Sequence, residues 1–278
     1  ISSRALSEFY IIDHSTTTAQ AATSSGGNFG KGGDFLYRWG NPASYDNGSN
    51  LDQKLFGQHD VQWIENNFLD GGKIILFNNG QGRDYSSIDI ISPLTDVNGN
   101  YILNNNLFGP IDPEWVYTDV IPNNFYASFI SGVQRLPNGN TLICDGPHGT
   151  FFEIDSLKNI VWEYVNPIAN GIALSQGSSI PTTNNGWANS TFQCTKYPVD
   201  YPAFNQKDLT PGPYIEINPI LDNCEIHVSL NNTNISSSEN KSLVKIVDIF
   251  GRNTEKQNNT ILFFIYDDGT IEKKMFLD

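Results

Sequence analysis

The chain has 278 residues and a formal net charge of −14, with charged residues making up only 17% of it. That sign excludes a nucleic-acid backbone or an anionic membrane surface as the main partner, so any anion site must be built from local Arg, Lys or backbone N–H groups. The length suits one large all-β domain or a domain plus a module. Abundant Gly, Asn, Ser and Thr suit a secreted, loop-rich β protein, and no stretch reaches the ~18 apolar residues of a membrane helix.

The chain opens at Ile1-Ser2-Ser3-Arg4, inside what reads as the end of a strand. It carries no initiator Met, so it reads as a fragment, with upstream residues and any export signal expected before it. Alternating apolar residues then predict strands at Glu8-Phe9-Tyr10-Ile11-Ile12 and Asp34-Phe35-Leu36-Tyr37-Arg38-Trp39. His59-Asp60-Val61-Gln62-Trp63-Ile64 and Gly72-Lys73-Ile74-Ile75-Leu76-Phe77-Asn78 follow. Next come Ser87-Ile88-Asp89-Ile90-Ile91 and a Trp strand, Glu114-Trp115-Val116-Tyr117.

The same order then recurs. Ser131-Gly132-Val133-Gln134-Arg135-Leu136 aligns with the segment at His59, and Gly139-Asn140-Thr141-Leu142-Ile143-Cys144-Asp145 with that at Gly72. Thr150-Phe151-Phe152-Glu153-Ile154 and Ile160-Val161-Trp162-Glu163-Tyr164 complete the copy. Residues 1–39 form an incomplete third copy, with Glu8-Phe9-Tyr10-Ile11-Ile12 as its third strand and Asp34-Phe35-Leu36-Tyr37-Arg38-Trp39 as its Trp strand. Four short strands per unit, repeated and ending in a Trp strand, are the pattern of β-propeller blades. The expected fold is all-β: a partial propeller of about three four-stranded blades over residues 1–170, then a small β-sandwich-like module.

Residues 171–221 lack periodicity and read as an irregular linker or a degraded blade. A separate module is expected over 222–278. Its clearest strands are Leu243-Val244-Lys245-Ile246-Val247-Asp248-Ile249 and Ile261-Leu262-Phe263-Phe264-Ile265-Tyr266. A turn at Asp267-Asp268-Gly269-Thr270 leads to Ile271-Glu272-Lys273-Lys274-Met275. The three cysteines give no disulfide framework and no C-x-x-C metal spacing. Cys144 lies in an apolar strand pattern and is expected to be buried. Cys194 and Cys224 either pair in an oxidising compartment or stay free.

In a four-stranded meander the entry to the first strand and the turn between the second and third share one edge. His59 enters one unit and Arg83 lies in that unit's turn. Arg4 ends a strand in the unit before, and His148 occupies the turn of the unit after. These four are therefore expected to converge on one face, with His14 on the opposite one. A positioned imidazole beside guanidinium groups suits transfer of an anionic group, because the ring nitrogen can act as a nucleophile and Arg forks bind sulfate or phosphate oxygens. Each residue also has a purely structural reading. His59 can be a hydrogen-bonded strand residue, Arg83 can pair with Asp84 or a loop carbonyl, and His148 can be a solvated turn residue. His14 can stabilise its turn, and Trp39, Trp115 and Trp162 read as packing between blades.

Several of these segments resemble bacterial arylsulfate sulfotransferases. They are Ser2-Ser3-Arg4, Ile11-Ile12-Asp13-His14-Ser15-Thr16-Thr17 and Gly33 through Pro42, together with Gln58-His59-Asp60, Phe77-Asn78-Asn79-Gly80-Gln81-Gly82-Arg83 and Gln134 through Leu142. The resemblance covers roughly residues 1–168 and implies a six-bladed propeller. It implies that His59 accepts a sulfuryl group from an aryl sulfate and passes it to a phenol. Arg4 is then the sulfate-binding arginine, with Arg83, Asn79 and His148 as further substrate-binding candidates. No nucleotide sulfate donor, other cofactor or metal is implied. The family's remaining site residues, a further His and a His-x-Asn pair, are expected upstream of Ser2.

The segments at Val244 through Arg252 and Phe264 through Lys274 resemble type IX secretion sorting domains. That implies the type IX secretion machinery as a partner and a secreted or cell-surface location reached through the periplasm. The competing expectations are a non-catalytic secreted propeller that binds a ligand or protein at the same face, a hydrolase that releases sulfate to water, and an adhesive surface protein.

Overall fold

The computed structural model describes residues 1–183, 186–220, 242–248, 252–258, 260–267 and 271–275. The protein is all-β, with only short helical turns among the described residues, and the chain divides into two compact units, Ile1–Ser229 and Leu230–Asp278.

Three antiparallel sheets organise the first unit. Sheet 1 contains β1 (Ser2–Ser3), β2 (Glu8–Ile12) and β3 (Phe35–Trp39), in that order. Sheet 2 begins with β4 (His59–Trp63), β5 (Ile74–Asn78) and β6 (Ser87–Ile91). An inserted hairpin, β7 (Leu103–Asn104) and β8 (Leu107–Phe108), precedes its last strand, β9 (Trp115–Tyr117). Sheet 3 runs β10 (Gly132–Arg135), β11 (Thr141–Asp145), β12 (Thr150–Ile154) and β13 (Ile160–Val165), each paired with the next.

Sheet 2 is covered on both faces. Strand side chains alternate, so Ile74, Leu76 and Ile91 pack toward Phe9, Tyr37 and Trp39 of sheet 1. Ile75, Phe77, Ile88 and Ile90 pack the other way, against Val133, Ile143, Phe152 and Ile154 of sheet 3. This is why every residue of β5 and β6 is buried and β5 opens with the unbroken apolar run Ile74–Phe77, rather than the alternating pattern of a half-exposed sheet. Aromatic rings fill the gaps. Phe125 meets Phe77 at 5.5 Å, Tyr117 at 5.7 Å and Phe152 at 5.8 Å between centroids.

The Trp strands do not behave alike. Trp39 is buried and donates through Nε1 to Pro110 O at 2.7 Å. Trp115 is partly buried below Arg135 and Lys158. Trp162 is 46% exposed and stacks on Tyr164 instead of entering the core. The packing expectation fails for Trp162: every residue of β13 is exposed or only partly buried.

After β13 the described residues of the first unit form the two-residue pairs β14 (Ile168–Ala169) with β15 (Ile172–Ala173) and β16 (Thr182–Thr183) with β17 (Gly186–Trp187). In the second unit, β18 (Leu243–Val247), β19 (Ile261–Tyr266) and β20 (Ile271–Met275) make an antiparallel meander around buried Val247, Leu262 and Phe264. The expected turn residues Asp268–Thr270 and Cys224, with its pairing, lie outside the described residues. Among the described residues no helix is long and apolar enough to cross a membrane.

Candidate functional site

His59 opens β4 opposite Phe77 of β5, but Gln62 rather than Val61 faces Ile75. One extra residue is therefore inserted after His59. Asp60 takes it up with φ +53°, a left-handed conformation that costs a non-glycine residue free energy. Asp60 is held there from outside its own sheet. Its Oδ2 accepts from Val133 N (2.9 Å) and its Oδ1 from Gln193 Nε2 (2.9 Å). Burial pushes its carboxyl up from the usual carboxylate range, against those hydrogen bonds and the nearby His59. Gly132 is required beside it, since a Cβ there would stand 2.6 Å from Asp60 Oδ2.

The end of β5 fixes the imidazole. Asn78 and Asn79 point to opposite sides of the sheet, as successive strand residues do. Asn78 accepts from Phe56 N (2.9 Å) and donates to Lys54 O (2.9 Å) and Asp89 Oδ2 (2.8 Å), which positions the segment leading into His59. Asn79 Oδ1 stands 2.7 Å from His59 Nδ1, and its amide nitrogen donates to Ala127 O (2.7 Å) and Ile130 O (2.9 Å). Ile130 has φ +47°, rare for a β-branched residue, and Ser131 follows at +85°. That strained bend turns the Ile130 carbonyl toward Asn79. Gly80 completes the turn, because a Cβ there would lie 1.7 Å from Tyr85 O.

The two acceptors settle which way the Asn79 amide faces. Flipping it would set its oxygen against two carbonyl oxygens, so the oxygen points to His59. In the neutral ring Nδ1 then carries the proton and Nε2 keeps its lone pair. The ring is half-buried, with Phe192 edge-on at 6.4 Å.

Arg4 lies on the neighbouring sheet, in the 3-10 turn Arg4–Leu6 that follows β1. That turn is tied to the His59 strand by the buried Gln58. Its Nε2 donates to Ser2 Oγ (3.0 Å) and Glu8 O (2.8 Å), while Gly57 N donates to Ser7 Oγ (3.2 Å). The Arg4 side chain is exposed and makes no hydrogen bond or ion pair among the described residues.

Arg83 and His148 are engaged elsewhere. Arg83 donates to Tyr85 O (3.1 Å) and Ser87 Oγ (2.6 Å) and lies over the Tyr85 ring at 4.4 Å. It thus takes up a loop carbonyl and the Ser87–Asp89 pair rather than reaching His59. His148 Nδ1 is 2.8 Å from both carboxylate oxygens of Asp145, and its ring meets Trp187 edge-on at 5.2 Å. Asp145 raises the His148 pKa, against burial. His148 lines a cleft of about 590 Å³ with Tyr117, Asn123, Tyr126 and Trp187, and His59 is not on its wall. His14 is exposed, and its turn is held by Asp13, which accepts from Ser15 N, Ser15 Oγ and Phe29 N.

Of the candidate residues, then, the structure joins His59 directly to Asn79 and places Arg4 on the adjoining sheet edge. Asp60 and Phe192 were not singled out from sequence. Asp60 was visible inside the Gln-His-Asp motif, but its bulge leaves no sequence pattern. Phe192 sits in a segment without periodicity. No protein-family model matches the chain, and no curated protein matches it.

Proposed function

We propose that the first unit is part of a β-propeller, its sheets the blades, in which His59 relays a sulfuryl group from an aryl sulfate to a phenol. The observation that carries this reading is the Asn79 amide. It places the proton on Nδ1 of His59 and leaves Nε2 as a lone-pair nucleophile held in one orientation.

In the first half-reaction Nε2 attacks sulfur, the sulfur–oxygen bond to the aryl group breaks, and a phenolate leaves. In the second, the oxygen of a deprotonated phenol attacks sulfur and the nitrogen–sulfur bond breaks, regenerating neutral His59. Imidazolium charge that builds on the ring during attack is stabilised through Nδ1–H by Asn79 Oδ1, which makes Asn79 a positioning residue. The exposed guanidinium of Arg4 is available for the sulfate oxygens, whose charge the acidic chain otherwise repels. In this reading Arg83 shapes the turn that presents Asn79 and does not hold substrate itself. The second unit, whose described residues include a three-stranded meander, is proposed as a type IX sorting domain on the strength of its sequence resemblance alone.

The test is turnover of a chromogenic aryl sulfate with a phenol acceptor by the full-length protein and its His59→Ala variant. Transfer should fall to background in the variant, and digestion of the wild type after donor alone should yield a sulfated, acid-labile His59 peptide. Unchanged turnover in the variant, or no sulfated peptide from an active wild type, overturns the assignment. Free sulfate in place of sulfated phenol would make the protein a hydrolase.

A further inference from the structure

Residues 189–196 run alongside β10 and the β11–β12 turn and pass His59 at Phe192. Thr191 N donates to Gly146 O (2.9 Å), Ser131 N to Phe192 O (3.1 Å), Gln193 Nε2 to Asp60 Oδ1 (2.9 Å) and Lys196 N to Gln134 Oε1 (2.8 Å). These bonds carry Phe192, itself 66% exposed, to the edge of the His59 ring. Cys194 belongs to this strap. Cys144 lies beneath it on β11, fully buried, opposite Gly132 and Phe151. The Cys144 thiol reaches Thr191 O at 3.8 Å, three residues before Cys194, and Gln193 packs against Gly132, the cross-strand partner of Cys144. Both cysteines are free.

We infer that Cys144 and Cys194 are a reversible dithiol–disulfide pair that fastens the 189–196 strap to β11 and thereby fixes Phe192 beside His59. A thiol on a buried strand and a thiol on the strap that lies over it are placed for this and are poor candidates for inert packing. Their exposure sets the order of events. Cys144 is fully buried, whereas Cys194 is half-buried and is the thiol that an external oxidant can meet.

The oxidant is a small-molecule disulfide. Cys194 Sγ attacks one of its sulfurs, the sulfur–sulfur bond breaks, and one thiol leaves. Cys144 Sγ then loses its proton to solvent and attacks Cys194 Sγ, expelling the second thiol. Two protein thiols are oxidised by two electrons and one disulfide is reduced to two thiols. None of this depends on what His59 does.

The test equilibrates the full chain with oxidised and reduced glutathione over a range of ratios, alkylates the remaining thiols and maps the peptides by mass. A Cys144–Cys194 linked peptide should grow with the oxidised fraction and disappear on reduction. Amide exchange at Ser131 and Thr191 should slow at least tenfold in the oxidised form. The Cys224→Ser variant, which removes the third thiol, should show the same link, and Cys194→Ser should show neither link nor slowing. If both thiols stay alkylatable at the oxidising end in Cys224→Ser, the pair does not exist. If they link with no change in exchange, the strap is not fastened by them. Either result overturns the inference.

Discussion

Asn79 holds His59 in a single tautomer: its oxygen lies 2.7 Å from Nδ1 while both amide hydrogens are taken by Ala127 O and Ile130 O. The proton must sit on Nδ1, and this can be read directly. Nitrogen NMR of imidazole-labelled protein should show a protonated Nδ1 and an unprotonated Nε2 at His59 in the neutral ring. The opposite assignment would remove the nucleophile from the proposed mechanism.

Removing that support should also slow the proposed reaction. Asn79→Ala is expected to lower turnover of an aryl sulfate by about 10–100-fold, the usual effect of deleting a residue that orients a reactive imidazole. The same change strips donors from two carbonyls and should cost about 1–3 kcal/mol of stability. The two effects separate in the NMR spectrum. A purely structural loss leaves the His59 tautomer intact, whereas loss of orientation mixes the Nδ1–H and Nε2–H forms.

Much of this arrangement could be read from the residues. The repeated four-strand units appear as sheets 2 and 3, because runs such as Ile74-Ile75-Leu76-Phe77 are apolar at every position and must be covered twice. His59 at a strand entry and Asn79 at the end of the next strand follow from antiparallel pairing alone. The bulge at Asp60 was not legible, since its left-handed backbone is imposed from outside by Val133 N and Gln193 Nε2. Nor was the strap at Thr191-Phe192-Gln193, whose bonds are single contacts without period. The rotation of Arg83 onto Tyr85 O and Ser87 depends on side-chain packing that spacing does not encode.

Phe125 is the joint between sheets 2 and 3, with three aromatic rings within 6 Å and only 6% exposure. Phe125→Ala should destabilise the first unit by about 3–5 kcal/mol, the lost burial plus the cavity left among rings that cannot collapse together. Phe125→Leu, which retains most of the volume, should cost clearly less. Urea unfolding followed by near-UV circular dichroism measures both, and equal losses would mean that shape rather than volume governs the joint.

Glu8 is fully buried on β2 and accepts from Arg38 Nη2 (2.6 Å), Arg38 Nε (3.1 Å), Ser44 Oγ (2.7 Å) and Tyr10 OH (3.0 Å). A buried carboxylate that loses its cation is left uncompensated. Arg38→Met should therefore cost about 3–5 kcal/mol. The double variant Glu8→Gln with Arg38→Met should recover part of that loss, because no charge then remains in the site. A double variant less stable than the single one would show that Glu8 is held chiefly by its neutral donors.

His148 supplies a pH dependence whose sign follows from its partner. Hydrogen bonding to Asp145 raises its pKa above the ordinary 6.5, outweighing burial. The folded protein thus binds the proton more tightly than the unfolded chain. The resulting stability is fully present below the unfolded value of 6.5 and is lost as pH rises through the folded one. The side chain is 36% exposed, so solvent and salt screen the effect and it should appear as a shallow slope in Tm above pH 6.5. Asp145→Asn should flatten that slope and return the His148 proton titration, followed by NMR, toward 6.5. If instead the slope persists in Asp145→Asn while His148 titrates normally, another group carries the pH dependence and the pair contributes only its hydrogen bond.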